Sequence, residues 1–111
     1  GAYTVPLLEE ACAKRDNITI LLDTTATEIL TADGAACGIK ATGKTGNTVT
    51  VNADAVILAA GGFGANLDMV ASYQPSLKGF MTTNAAGLQG QGIAMAQAVG
   101  AYAVGIITGS F

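Results

Sequence analysis

Five consecutive apolar residues, Ala55-Val56-Ile57-Leu58-Ala59, run almost directly into Gly61-Gly62. Side chains alternate between the two faces of a strand, so a run that is apolar at every position needs cover on both sides. It therefore reads as a central strand of an α/β sheet. Ligands of open α/β sheets bind beyond the carboxyl ends of the strands, and Ala59-Ala60-Gly61-Gly62-Phe63 stands at that end. Glycine at such a place turns the chain with positive φ and lets a phosphate or sugar touch the backbone. Taken alone, a glycine pair after a strand is more often a plain turn.

The residues before this run read as a helix and a meander. Thr4 is a candidate cap, Pro6 suits a first turn, and Leu7, Leu8, Ala11 and Cys12 make an apolar face. Glu10 and Lys14 are four apart, a favourable helical pair, and Asp16-Asn17 ends the helix. Ile18 to Leu22 is a short run with β-branched residues and reads as a strand. Thr24 to Thr31, Ala35 to Thr42 and Thr48 to Asn52 are separated by turn signals, Asp33-Gly34 and Gly43-Lys44-Thr45-Gly46-Asn47. They predict a three-stranded antiparallel β-meander. Beyond Gly62, a short helix is expected over Asn66 to Tyr73, irregular chain over Leu77 to Gly90, and a last helix over Gly92 to Val99.

Composition narrows the function. Apolar residues make up 50% of the chain, but there are 15 glycines, only three Phe and three Tyr, and no Trp. Burial energy follows apolar area, so the core built from these residues is thin. A net charge of -3 with no basic run speaks against nucleic acid, because phosphate neutralisation needs clustered Lys and Arg. There is no His, which removes the commonest general base and metal ligand, and Cys12 and Cys37 lack metal-ligand spacing. No metal site is expected. The two cysteines read as buried, reduced thiols, consistent with a cytoplasmic location. The uncharged stretch from Ile93 to Ile107 is rich in Ala and Gly and falls short of the roughly 20 strongly apolar residues of a membrane span. No charged signal-peptide start is recognisable.

A second glycine cluster, Gly87-Leu88-Gln89-Gly90-Gln91-Gly92, opens the last helix. Backbone amides at a helix start favour anions and oxygen acceptors. The cluster fits neither G-x-G-x-x-G after a strand nor a Walker loop, since the Lys-Ser/Thr pair is missing. Tight helix packing explains such glycines equally well.

The order and spacing of the two clusters carry more than either alone. Ala59-Ala60-Gly61-Gly62-Phe63, Asn66, Tyr73-Gln74-Pro75, Thr83-Asn84, Gly87-Leu88-Gln89-Gly90-Gln91-Gly92 and Gly100-Ala101 follow one another here. This pattern resembles the FAD-dependent flavoprotein family of fumarate reductases, succinate dehydrogenases and 3-ketosteroid dehydrogenases. In that family a strand ends in A-T-G-G-F, and G-x-x-G-D-G opens a later helix. Pro75-Ser76-Leu77-Lys78-Gly79-Phe80 is most similar to the soluble fumarate reductase branch. Thr24 to Ile29 occupies the slot of the family's T-x-V-x-x-L strand. Two positions depart: the family Thr is Ala60, and the family Asp is Gln91, which is longer and neutral but still donates and accepts hydrogen bonds.

The resemblance implies an α/β (α+β) fold: residues 1–111 as one piece of an FAD-binding, Rossmann-like domain with a three-stranded meander and flanking helices. It implies that the backbone of Ala26 meets the adenine. Ala59, Ala60, Gly61 and Gly62 line the ribose and phosphate region, and Asn84 and Gln91 lie towards the flavin. The parent reaction it implies is hydride transfer from reduced FAD to the C=C bond of fumarate or a related enoate. The family's dinucleotide loop is expected before Gly1, and its H-P-T motif, proton-donating arginine and capping domain after the last residue. No residue of this chain is expected to be catalytic, and the piece by itself is expected to be inactive and to lose FAD. Ile106 to Phe111 departs from the family pattern. The partners implied are the rest of the parent chain and a small dicarboxylate or enoate. The uncovered edge of the Ala55 to Ala59 strand predicts dimerisation or edge pairing, or a rearranged sheet. The alternatives are a small non-catalytic binding module presenting the meander face, from another functional class, and a fragment of another enoate or 3-ketosteroid flavin dehydrogenase.

Overall fold

The computed structural model of the chain describes residues 2–102. The reading of residues 106–111 as a departure from the family pattern falls outside them. Helix α1 spans Thr4–Ala13, strands β1, β2 and β3 span Thr25–Ala32, Ala35–Thr42 and Thr48–Asn52, helix α2 spans Leu67–Tyr73, and helix α3 spans Gln91–Ala98. A single 3-10 turn, Pro75–Leu77, follows α2.

The meander forms as expected, with strand order β1-β2-β3 and both pairings antiparallel. Asp33 and Gly34 both take positive φ, 53° and 79°, as a two-residue hairpin turn requires, and Ala32 pairs with Ala35 across it. The simple alternation expected for β1 fails at Thr27. Ala26 pairs with Ala41 but Glu28 with Lys40, so Thr27 is an inserted residue, and its hydroxyl donates to the Lys40 carbonyl at 3.2 Å. Such a bulge re-aims side chains. Ile29 and Ala41 are buried, and Ala26 and Leu30 are half-buried.

Helix α1 starts one residue earlier than a Thr4 cap would give. Tyr3 holds the cap position without a side-chain bond, and Thr4 is the first helical residue. The expected Glu10–Lys14 pair is present at 3.3 Å, on the surface. No residue of α1 is buried. Cys12 and Cys37 are free as expected, but half-buried and not fully buried.

Two expected strands do not form. Ile18 to Leu22 and Ala55 to Ala59 carry no regular structure, and Leu22 and Ile57 are 79% and 90% exposed. A strand exists only through hydrogen bonds to a neighbour. Among the described residues no further strand lies alongside either segment. The chain has an accessible surface of 8394 Å², against roughly 5,600 Å² for a compact monomer of its mass. Its radius of gyration is 16.3 Å, against roughly 13 Å for a compact domain of this length. Sequence runs that read as strands are thus left bare, as is the apolar side of α1.

Candidate functional site

The two glycine clusters, some 30 residues apart in sequence, are hydrogen-bonded to one another. The Gly90 amide donates to the Gly62 carbonyl at 3.1 Å, and the Ala65 amide donates to the Leu88 carbonyl at 3.0 Å. Gly90 caps α3 with φ 83°, a left-handed conformation that glycine adopts without penalty. A Cβ there would also strike Met69 and Phe63. Behind the turns, Phe63 and Val70 form a small buried cluster, and the Phe63 ring packs on Tyr73 with centroids 5.6 Å apart. The Tyr73 hydroxyl accepts a hydrogen bond from Gln97 Nε2 at 3.3 Å, which ties the end of α2 to α3.

Asn66 works at both ends of its side chain. Its Oδ1 accepts from the Met69 amide at 3.0 Å and so caps α2. Its Nδ2 donates to the Gln89 carbonyl at 3.0 Å, inside the second glycine cluster. The capping role is readable from the position of an Asn before a helix. The bridge is not, because it spans 23 residues of sequence.

Helix α3 has a cleft on each side. One, of about 370 Å³, lies between Leu58, Ala59, Ala60 and Gly61 and the Gly92, Ile93, Ala96 and Gln97 side of the helix. The other, of about 420 Å³, lies between the bulged Thr25-Ala26-Thr27 stretch of β1 and the Gln91, Ala94, Met95 and Ala98 side. The bulge explains how three consecutive residues line one cleft. Ala59, Ala60 and Gly61 are therefore brought together, and Ala26 is brought to Gln91. Gly62 sits at the junction through its carbonyl. Asn84 lines neither cleft: it lies beside Gly64, and both its backbone amide and its Nδ2 donate to the Thr82 hydroxyl, at 3.1 and 2.9 Å.

Among the described residues no charged side chain lines either cleft, and no group of three or more metal-ligating side chains gathers. No helix among them is long and apolar enough to cross a membrane. The walls are mostly small residues, with a few larger apolar ones such as Leu58, Ile93 and Met95 and the neutral amides of Gln91 and Gln97. A Cβ built on Gly62 would meet nothing within 4 Å, so open space lies directly over that backbone. These walls fit the uncharged, flat parts of a dinucleotide, its adenine, riboses and flavin ring. They supply no cation for the pyrophosphate, which these residues can meet only with backbone N–H groups.

A family model described as an FAD binding domain matches residues 1–106. A fumarate reductase (cytochrome) of Shewanella frigidimarina is 43% identical over 101 residues, which are 90% of this chain and 18% of that protein. An NADH:fumarate oxidoreductase of Klebsiella pneumoniae is 38% identical over 104 residues, 94% of this chain and 11% of that protein. The solved open conformation of a flavocytochrome c3 fumarate reductase superimposes with a TM-score of 0.78 at 30% identity, over 88% of this chain and 17% of that one. The chain thus spans less than a fifth of the length of each of these proteins.

Proposed function

Since the chain belongs to the FAD binding domain family, in the fumarate-reductase type of flavoprotein, we propose that it forms part of the dinucleotide site of a longer FAD-dependent oxidoreductase that reduces fumarate or a related enoate. The observation that supports this best is the lock between the two glycine turns, Gly90 N–H to Gly62 C=O. It sets the small, neutral walls of the clefts against α3. Bound FAD would supply the hydride chemistry of the parent. The residues of this chain bind and orient. Ala59, Ala60, Gly61 and Gly62 offer backbone close to the ribose and phosphate region, Ala26 and Gln91, which line one cleft, offer strand backbone and a neutral amide to the same part of the dinucleotide, on the adenine side, and Asn84 alone is left for the flavin side.

The proposal assigns the substrate clamp, the proton donor and the pyrophosphate cradle to the rest of the parent chain. Fumarate leads because both relatives described above are named for it; urocanate, 3-ketosteroids and other enoates are the competitors. A cytoplasmic location belongs to the same proposal and is supported by the free thiols of Cys12 and Cys37. The self-contained binding module fares worse, because a free-standing domain does not leave Ile57 and Leu22 bare.

The test uses the full-length protein. It is expected to purify with a flavin absorption spectrum and, once reduced, to be reoxidised by fumarate faster than by urocanate or a 3-ketosteroid. A protein that is colourless and gains no flavin spectrum on adding FAD sinks the cofactor reading. A flavoprotein reoxidised only by another enoate moves the substrate and keeps the cofactor.

A further inference from the structure

We propose that Asn66 is a positioning residue of the dinucleotide site, holding the turn that opens α3 in register with the turn after Ala59. This rests on the dinucleotide reading above. The Asn66 carboxamide spans the two turns, accepting from Met69 N–H and donating to the Gln89 carbonyl, each at 3.0 Å. The Asn66 amide itself donates to the Phe63 carbonyl at 2.8 Å, which anchors the residue to the first turn. Gln89 immediately precedes Gly90, whose amide bonds Gly62, and stands two residues before Gln91, which lines the second cleft. One half-buried side chain therefore ties the first turn to the second, next to the residues that line the clefts. Its orientation is fixed by its partners: flipping the amide would put an NH₂ against an N–H and an oxygen against a carbonyl.

Two substitutions separate the bridge from the cap. In Asn66→Ser the hydroxyl still caps Met69 N–H but is too short for Gln89. In Asn66→Asp one carboxylate oxygen still caps, while the other faces the Gln89 carbonyl with no proton to give. Both variants therefore keep the cap of α2 and lose the donor to the Gln89 carbonyl.

The experiment titrates the full-length apoprotein with FAD at neutral pH, following quenching of flavin fluorescence, with far-UV circular dichroism and melting recorded alongside. Asn66→Ser and Asn66→Asp, which keep the cap and lose the bridge, are each expected to bind FAD roughly tenfold more weakly than wild type, with helix content and melting close to wild type. Wild-type affinity in both variants overturns the proposal. So does a loss of affinity that follows loss of helix. A wild-type protein that binds no FAD overturns the dinucleotide reading and this inference with it.

Discussion

Gly92 stands so close to Ala60 that a Cβ on it would lie 3.0 Å from the Ala60 Cβ. The two residues face each other across the base of the first cleft. In Gly92→Ala, helix propensity gains up to about 1 kcal/mol in α3, and the crowded methyl opposes that gain. The expected result is a melting temperature within a few degrees of wild type and FAD affinity several-fold lower, because the neighbouring wall of the cleft must yield. Gly92→Val adds two more carbons to a space with room for none and is expected to lose about 1–3 kcal/mol of stability. Melting and FAD titration on the same preparations read both effects.

Gly62 and Gly90 bond to each other but differ in what surrounds them. A Cβ on Gly90 would lie 2.6 Å from Met69 Sδ and 2.9 Å from Phe63 Cβ, on a backbone with φ 83°. Gly90→Ala is expected to cost at least about 2 kcal/mol, from left-handed strain plus overlap. A Cβ on Gly62 would meet nothing. Gly62→Ala is therefore expected to melt like wild type yet to carry less FAD, since the open space over Gly62 is where we place the cofactor. Equal FAD content in the Gly62 variant would show that this space is solvent and remove Gly62 from the site.

What could be read in the sequence was whatever depends on neighbours a few residues apart. The hairpin at Asp33-Gly34, the Glu10–Lys14 pair and the helices near residues 4, 67 and 91 all formed within a residue or two of their expected bounds. The bulge at Thr27 was not legible, because an inserted residue shows only against the partner strand, here Lys40 and Ala41. The Asn66–Gln89 bridge was hidden for the same reason. Ile18 to Leu22 and Ala55 to Ala59 are the opposite case. Their apolar patterns specify buried strands, and their pattern holds even where no strand among the described residues pairs with them.

Gln91 is the first residue of α3 and lines the same cleft as Ala26. No acidic residue occupies the first turn of this helix. Gln91→Asp places a carboxylate at the positive end of the helix dipole, worth about 0.3–1 kcal/mol. The dipole favours the charged form, so the folded carboxyl pKa lies below its unfolded value. The gain is present above the unfolded pKa and fades as pH falls through the folded one. Melting of the variant against wild type at neutral and at acid pH is expected to show a small advantage that disappears on acidification. An advantage that persists in acid would have to come from something other than the dipole.

The isolated 111-residue segment is expected to self-associate. Its surface exceeds that of a compact monomer by roughly 2,800 Å². Large apolar side chains lie bare in clusters along the sequence: Leu7 and Leu8 on α1, Ile18 to Leu22, and Ile57 with Leu58 are all exposed. In the longer parent we place the remaining chain over these residues. Without it, a second copy is the nearest apolar surface on offer, and bare strand-forming segments pair readily. Light scattering across a concentration series is expected to give a mass above that of one chain, rising with concentration. Ile57→Lys together with Leu22→Lys is expected to lower that mass, because a charge on each bare segment opposes pairing. A concentration-independent monomer would mean that the segment covers these residues itself, and the account of α1 and the two bare segments as surfaces built for the rest of the parent would have to be abandoned.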